Sequence, residues 1–150
     1  MNVRLLLFST VLLVGFAPAP FPRSEKPESR KDQMKKLQGE WVRTRTVIAG
    51  RVFPVTAVTM IIDGDRMTDT LAGTRQNTWT IRLDAGKTPK VFDIEMTTEG
   101  VKGTTFVGIY RLEGDTLTLC SRWSKAEKDR PKDFDGSKRG VWLEVFRRRP

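Results

Sequence analysis

"LQGEW", residues 37–41, stands between a short charged stretch and a run that alternates like a β-strand. Upstream, "SRKDQMKKLQG" (29–39) offers Ser29 and Asp32 as N-caps, sets Met34 and Leu37 three apart on one face, and ends in Gly39, a natural helix stop. The stretch predicts one short helix that feeds a strand beginning at Trp41. Beyond it no 3.6-residue period is sustained. Strand-like runs occupy 41–48, 58–63, 66–71, 77–84, 91–97, 104–112, 116–121 and 141–147, separated by turn residues.

The clearest run, "TWTIRL" (78–83), puts Trp79, Ile81 and Leu83 on one face and Thr78, Thr80 and Arg82 on the other, so one side packs and the other is wet. Val58, Met60 and Ile62 repeat that alternation, as do Phe92, Ile94 and Met96, and Phe106, Tyr110 and Leu112. The connections are short, which favours antiparallel neighbours over crossovers. "IDGDR" (62–66) and "LEGDT" (112–116) each place a glycine where a tight hairpin needs positive φ. Asp63-Gly64-Asp65 also begins like a calcium loop, but Met67 and Thr68 stand where the next ligand and the required glycine would be, so no metal site is expected.

Composition bounds the chemistry. A chain of 150 residues, 38% hydrophobic and 30% charged, suits one soluble domain. The net charge of +9 is concentrated at the ends: residues 39–121 carry ten basic and ten acidic side chains, while 23–38 carry six against three and 122–150 carry ten against five. Basic ends such as "FRRRP" (146–150) can meet an anionic surface, but they form no motif for specific nucleic-acid recognition, and a solvated terminus is the simpler reading. There is no histidine, and Cys120 is the only cysteine, which removes imidazole bases, His- or Cys-rich zinc sites and any intramolecular disulfide. Cys120 is then a buried filler, a free thiol or half of an intermolecular bridge, and its place in "TLTLCS" (116–121) favours burial in the wall. No cofactor motif is present.

The N-terminus has one charge at Arg4, an apolar run from Leu5 to Phe16 and then small residues, the pattern of a secretory signal over residues 1–22. Pro18 and Pro20 follow the two candidate cleavage sites, so an uncleaved anchor is the alternative. Residues 23–29 read as a linker and 30–150 as the domain, exported to the periplasm or beyond. "AEKDRPKDFDGSKRG" (126–140) is the one long irregular stretch, either a lid over a barrel end or a surface loop.

"KLQGEW" (36–41), "GKTPKVFDI" (86–94), "VGIYRLEGDTLTLC" (107–120) and "RPKDF" (130–134) resemble, in that order, a family of small exported lipocalin-like domains abundant in planctomycete bacteria, with no assigned biochemical function. The similarity runs from Asp32 to Arg148. It implies an all-β fold: an antiparallel eight-stranded lipocalin-like barrel with one short N-terminal helix. In that superfamily the Gly-x-Trp tryptophan closes one barrel end beneath an arginine near the end of the last strand, which assigns barrel closure to Gly39, Trp41 and Arg147, with Arg148 as the alternative arginine.

Three functions are weighed on these residues. The leading one is a small apolar ligand inside the barrel, held by Trp79, Phe92, Phe106 and Tyr110. The second is an envelope interaction or structural domain whose barrel is filled. Catalysis ranks last, because the carboxylate pair Asp93 and Glu95 lies opposite the apolar face of Phe92, Ile94 and Met96, so no catalytic residue is assigned. Oligomeric state is not legible.

Overall fold

The computed structural model describes residues 29–150, apart from Thr56 and Val101. The segment 1–22 expected to direct export and the expected linker up to residue 28 lie outside the described residues. Ser29 belongs to the domain, since its hydroxyl caps α1 (Arg30–Leu37) by accepting from the Asp32 backbone N–H at 3.2 Å. Basic Lys35 and Lys36 in the last turn suit the negative end of the helix dipole.

After α1 the chain forms β1 (Gly39–Ile48), β2 (Arg51–Phe53), β3 (Val58–Asp63), β4 (Arg66–Leu71), β5 (Thr74–Asp84), β6 (Lys90–Met96), β7 (Thr105–Glu113), β8 (Thr116–Trp123) and β9 (Val141–Arg148). Each strand from β3 to β8 pairs antiparallel with the next, and β1 pairs with both β3 and β9, closing an eight-stranded barrel. All eight sequence-predicted runs are strands of that barrel. β2 was not among them: it is a short, fully exposed flap on the far end of β1, with too few residues to display an alternation. Gly64 and Gly114 adopt positive φ in the β3–β4 and β7–β8 hairpins, as their sequence contexts required.

The main core lies inside the barrel and includes Leu37 of the helix, Trp41, Ile62, Ile81, Leu83 and Leu117. Gly108 is inward-facing, and a Cβ there would lie 2.4 Å from the Phe92 ring and 2.8 Å from the Cys120 carbonyl oxygen, so its bareness makes room for Phe92. A second apolar cluster lies on the outer face, where Val91, Ile109, Cys120 and Val141 meet Phe134 and Leu143. The segment between β8 and β9, with a single 3₁₀ turn at Glu127–Asp129, therefore covers the barrel wall and does not act as a lid over an end. Arg130 fastens it: the guanidinium donates to the carbonyls of Phe92 and Gly108, both at 2.8 Å, and pairs with Asp93 at 2.7 Å and Glu127 at 2.5 Å.

Cys120 is buried under this segment, as its strand context suggested. Burial, then the Asp133 and Asp135 carboxylates, push its thiol up to about 11, so it stays protonated and unreactive near neutral pH. No helix among the described residues is long and apolar enough to cross a membrane.

Candidate functional site

The two ends of the barrel are built differently. At the end where β1 begins and β9 finishes, α1 lies across the opening. Trp41 is 0% exposed, and its indole N–H donates to the Leu37 carbonyl at 2.9 Å, tying the first strand to the last turn of the helix. Gly39 has φ +110°, a left-handed conformation that favours glycine, and an added Cβ would only touch the Arg148 guanidinium, at 3.4 Å.

The arginine is Arg148, which corrects the expectation of Arg147. Its guanidinium sits 4.1 Å from the Trp41 ring centre and donates to the Gln38 and Lys36 carbonyls, both at 2.6 Å, satisfying acceptors that the helix end leaves open. The physical reason is register. Trp41 stands opposite Arg148 and Val42 opposite Arg147, and directly opposed residues share a face, so Arg147 points outward and is exposed.

Above this plug the barrel is hollow. A cavity of about 370 Å³ opens at the other end, lined on its apolar side by Trp79, Phe92, Ile94, Phe106, Leu119 and Phe146. Trp123 and Trp142, which are 71% and 39% exposed, also line it and stand at its mouth. Phe106 is the hub of the aromatic group: its ring centre lies 5.7 Å from Trp79, 5.9 Å from Trp142 and 6.5 Å from Trp123, the first two edge-on and the third stacked.

Trp79, Phe92 and Phe106 thus line one cavity, as expected. Tyr110 does not, which corrects its assignment. It lies at the plugged end, where its hydroxyl donates to Gln33 Oε1 of α1 at 3.0 Å and its ring meets the far side of Phe92, with ring centres 6.5 Å apart. The helix needs a buried anchor, and Tyr110 supplies it.

The polar side of the cavity is new. Arg43, Asp69, Asn77 and Glu144 all contribute to the lining. Arg43 Nη1 contacts Glu144 Oε1 at 2.9 Å, and their side chains are only 19% and 21% exposed. Asp69 accepts from the Asn77 backbone N–H at 2.7 Å and from its side-chain amide at 3.4 Å. Burial pushes the Glu144 carboxyl above its ordinary range; Arg43 pulls it back and the Asp69 carboxylate adds to the rise. The Trp79 indole N–H and the Thr46 hydroxyl are buried with no hydrogen-bond partner among the described residues, so this half of the interior is not fully satisfied by the protein.

Strand parity places these polar groups, and that signal was available. Arg43 follows Trp41 by two residues, and Glu144 lies between Trp142 and Phe146 on the inner face of β9. The reading was obscured because β9 is apolar on both faces: Val141 and Leu143 pack under the outer segment, which makes "VWLEVF" ambiguous as to which side is inside. Among the described residues no group of three or more His, Cys, Asp or Glu side chains could hold a metal ion. Asp93 and Glu95 lie on the outer face, Asp93 held by Arg130. No family model matches the chain, and comparison with curated proteins finds no match.

Proposed function

We propose that the protein is an exported, lipocalin-like binding module, without catalytic activity, that holds one small and largely apolar ligand inside its barrel. The observation that carries this reading is the cavity of about 370 Å³ above the plug, a volume within the roughly 300–1,000 Å³ range of small-molecule sites. A barrel serving only as a scaffold would be filled by its own side chains. Here the aromatic lining sits beside a few buried polar groups, a combination that orients a ligand as well as enclosing it.

The competing reading, an inert envelope domain docking through its basic ends, is less well supported. Arg148 is committed to the plug and Arg149 pairs with Glu40, leaving Arg147 as the outward-facing member of the terminal cluster. Native mass spectrometry on protein recovered from its own exported compartment tests the choice. The expected result is a single bound small molecule, absent in Ser121→Phe, whose ring would occupy the cavity. A bare native mass, together with no saturable uptake of 4-phenylbutan-1-ol, would favour the inert domain.

A further inference from the structure

The whole chain carries a formal charge of +9, yet the cavity is lined by one cation, Arg43, against two carboxylates, Asp69 and Glu144. A positively charged protein has therefore placed an excess negative charge where its ligand would sit. Arg43 is paired with Glu144, and Asp69 is held by the amide groups of Asn77, with no cationic side chain among the described residues bonded to it. Six aromatic rings complete the lining, and the three that neighbour Phe106 stand at 75°, 69° and 24° to its plane, so the rings of the lining do not share one orientation. Aromatic faces and buried carboxylates both favour a positive charge, the first through the ring quadrupole and the second through direct attraction at low dielectric.

We propose that the cavity selects an organic cation, an amine carried on a flat or short apolar body, with the ammonium set toward Asp69 and Glu144 and the body against Phe106 and its neighbouring rings. This rests on the binding reading above and adds the chemical class of the ligand. The charged groups facing Glu144 are Arg43 from β1 and Asp69 from β4; β8 presents only Leu119 and Ser121 to the cavity before Trp123. Burial, and to a smaller extent the like charge of Asp69, make an ionised Glu144 costly in the empty barrel, and an incoming ammonium offsets that cost. A carboxylate ligand would instead meet two acids with only an already paired arginine to receive it.

Three probes of one shape separate the possibilities: 4-phenylbutylamine, 4-phenylbutan-1-ol and 4-phenylbutyrate, titrated calorimetrically at neutral pH into the exported protein and into Asp69→Asn and Glu144→Gln. The amine should bind at least about tenfold more tightly than the alcohol, with the acid weakest. Each substitution should erase most of the amine's advantage by weakening the amine far more than the alcohol, and two separate substitutions keep the test decisive if one variant folds poorly. Equal affinity for amine and alcohol, or a preference for the acid, would overturn the cation assignment while leaving a binding barrel intact. If no probe binds, the binding reading fails and the assignment falls with it.

Discussion

The plugged end and the mouth of this barrel are made from the same strands, yet they handle buried polarity in opposite ways. β9 contributes Arg148 to the plug and Trp142 to the mouth; β1 contributes Trp41 to one and the inward-facing Arg43 and Thr46 to the other half. At the plug each donor just described has an acceptor: the buried Trp41 indole on Leu37, the buried Tyr110 hydroxyl on Gln33, and the part-buried Arg148 on the last carbonyls of the helix. In the cavity half, Trp79 and Thr46 lack partners, Glu144 is held partly against its tendency to protonate, and large aromatic surface is exposed at Trp123. Local rules are met where the helix closes the barrel and relaxed where the cavity opens, the half that the proposed ligand would enter.

The sharpest way to break this comparison is to empty the plug. Trp41→Ala should destabilise the protein by about 3–5 kcal/mol in chemical denaturation, because a fully buried indole and its hydrogen bond are lost together. A loss below about 1 kcal/mol would mean the helix does not seal the barrel. Next in size, Arg148→Ala should cost about 2 kcal/mol, through two charge-assisted hydrogen bonds and the stack on Trp41. Its outward neighbour is the control: Arg147→Ala should stay within about 0.5 kcal/mol. Equal effects at the two positions would contradict the register that puts only Arg148 on the inner face.

That pair of arginines also marks how far the sequence could be read. The barrel was legible because Trp79, Ile81 and Leu83, and likewise Phe92, Ile94 and Met96, alternate without ambiguity, and because Gly64 and Gly114 sit where hairpins require them. Choosing between Arg147 and Arg148 needed the inner face of β9, and there the outer segment buries Val141 and Leu143, which hides the alternation. The same segment was itself hard to place, since its covering role depends on Arg130 reaching carbonyls on β6 and β7, far away in sequence. Tyr110 was misplaced for a related reason: parity puts it inside, but only depth along the strand separates the plug from the cavity. The aromatic half of the site was therefore recognisable, while its acids were not, since an alternating pattern searched for apolar residues passes over Asp69 and Glu144.

A smaller effect, with a sign of its own, comes from Glu144. Its folded-state carboxyl titrates above the ordinary 4.5, so the folded protein holds that proton more tightly than the unfolded chain does. Below about pH 4.5 both states are protonated and the contribution is complete; it is lost as pH rises through the folded value. Relative to Glu144→Gln, the melting temperature of the native protein should therefore fall as pH is raised from 4.5 toward neutrality. Glu127 on the outer wall behaves oppositely. Hydrogen bonds from Arg130 and Lys87 hold it at about 2, so its contribution is present above 4.5 and lost as pH falls toward 2. If Glu144→Gln tracked the native protein at every pH, the carboxylate would be solvated like a surface group and the contrast between the two halves would weaken.

The smallest expected change in stability tests the mouth most directly. Trp123 is 71% exposed and touches the rest of the aromatic group through its stack on Phe106, so Trp123→Ala should cost less than about 1 kcal/mol. The same deletion removes one aromatic ring from the cavity that Glu144 and Asp69 also line, and should weaken 4-phenylbutylamine about fivefold. Denaturation and titration run on the same preparation read the two quantities side by side. Trp41→Ala and Trp123→Ala then become mirror experiments: one indole serves the fold, and the other, on the proposed reading, serves a ligand. A loss of several kcal/mol at Trp123, or undiminished amine binding without it, would place that ring with the plug and leave the mouth with no aromatic face of its own at that edge.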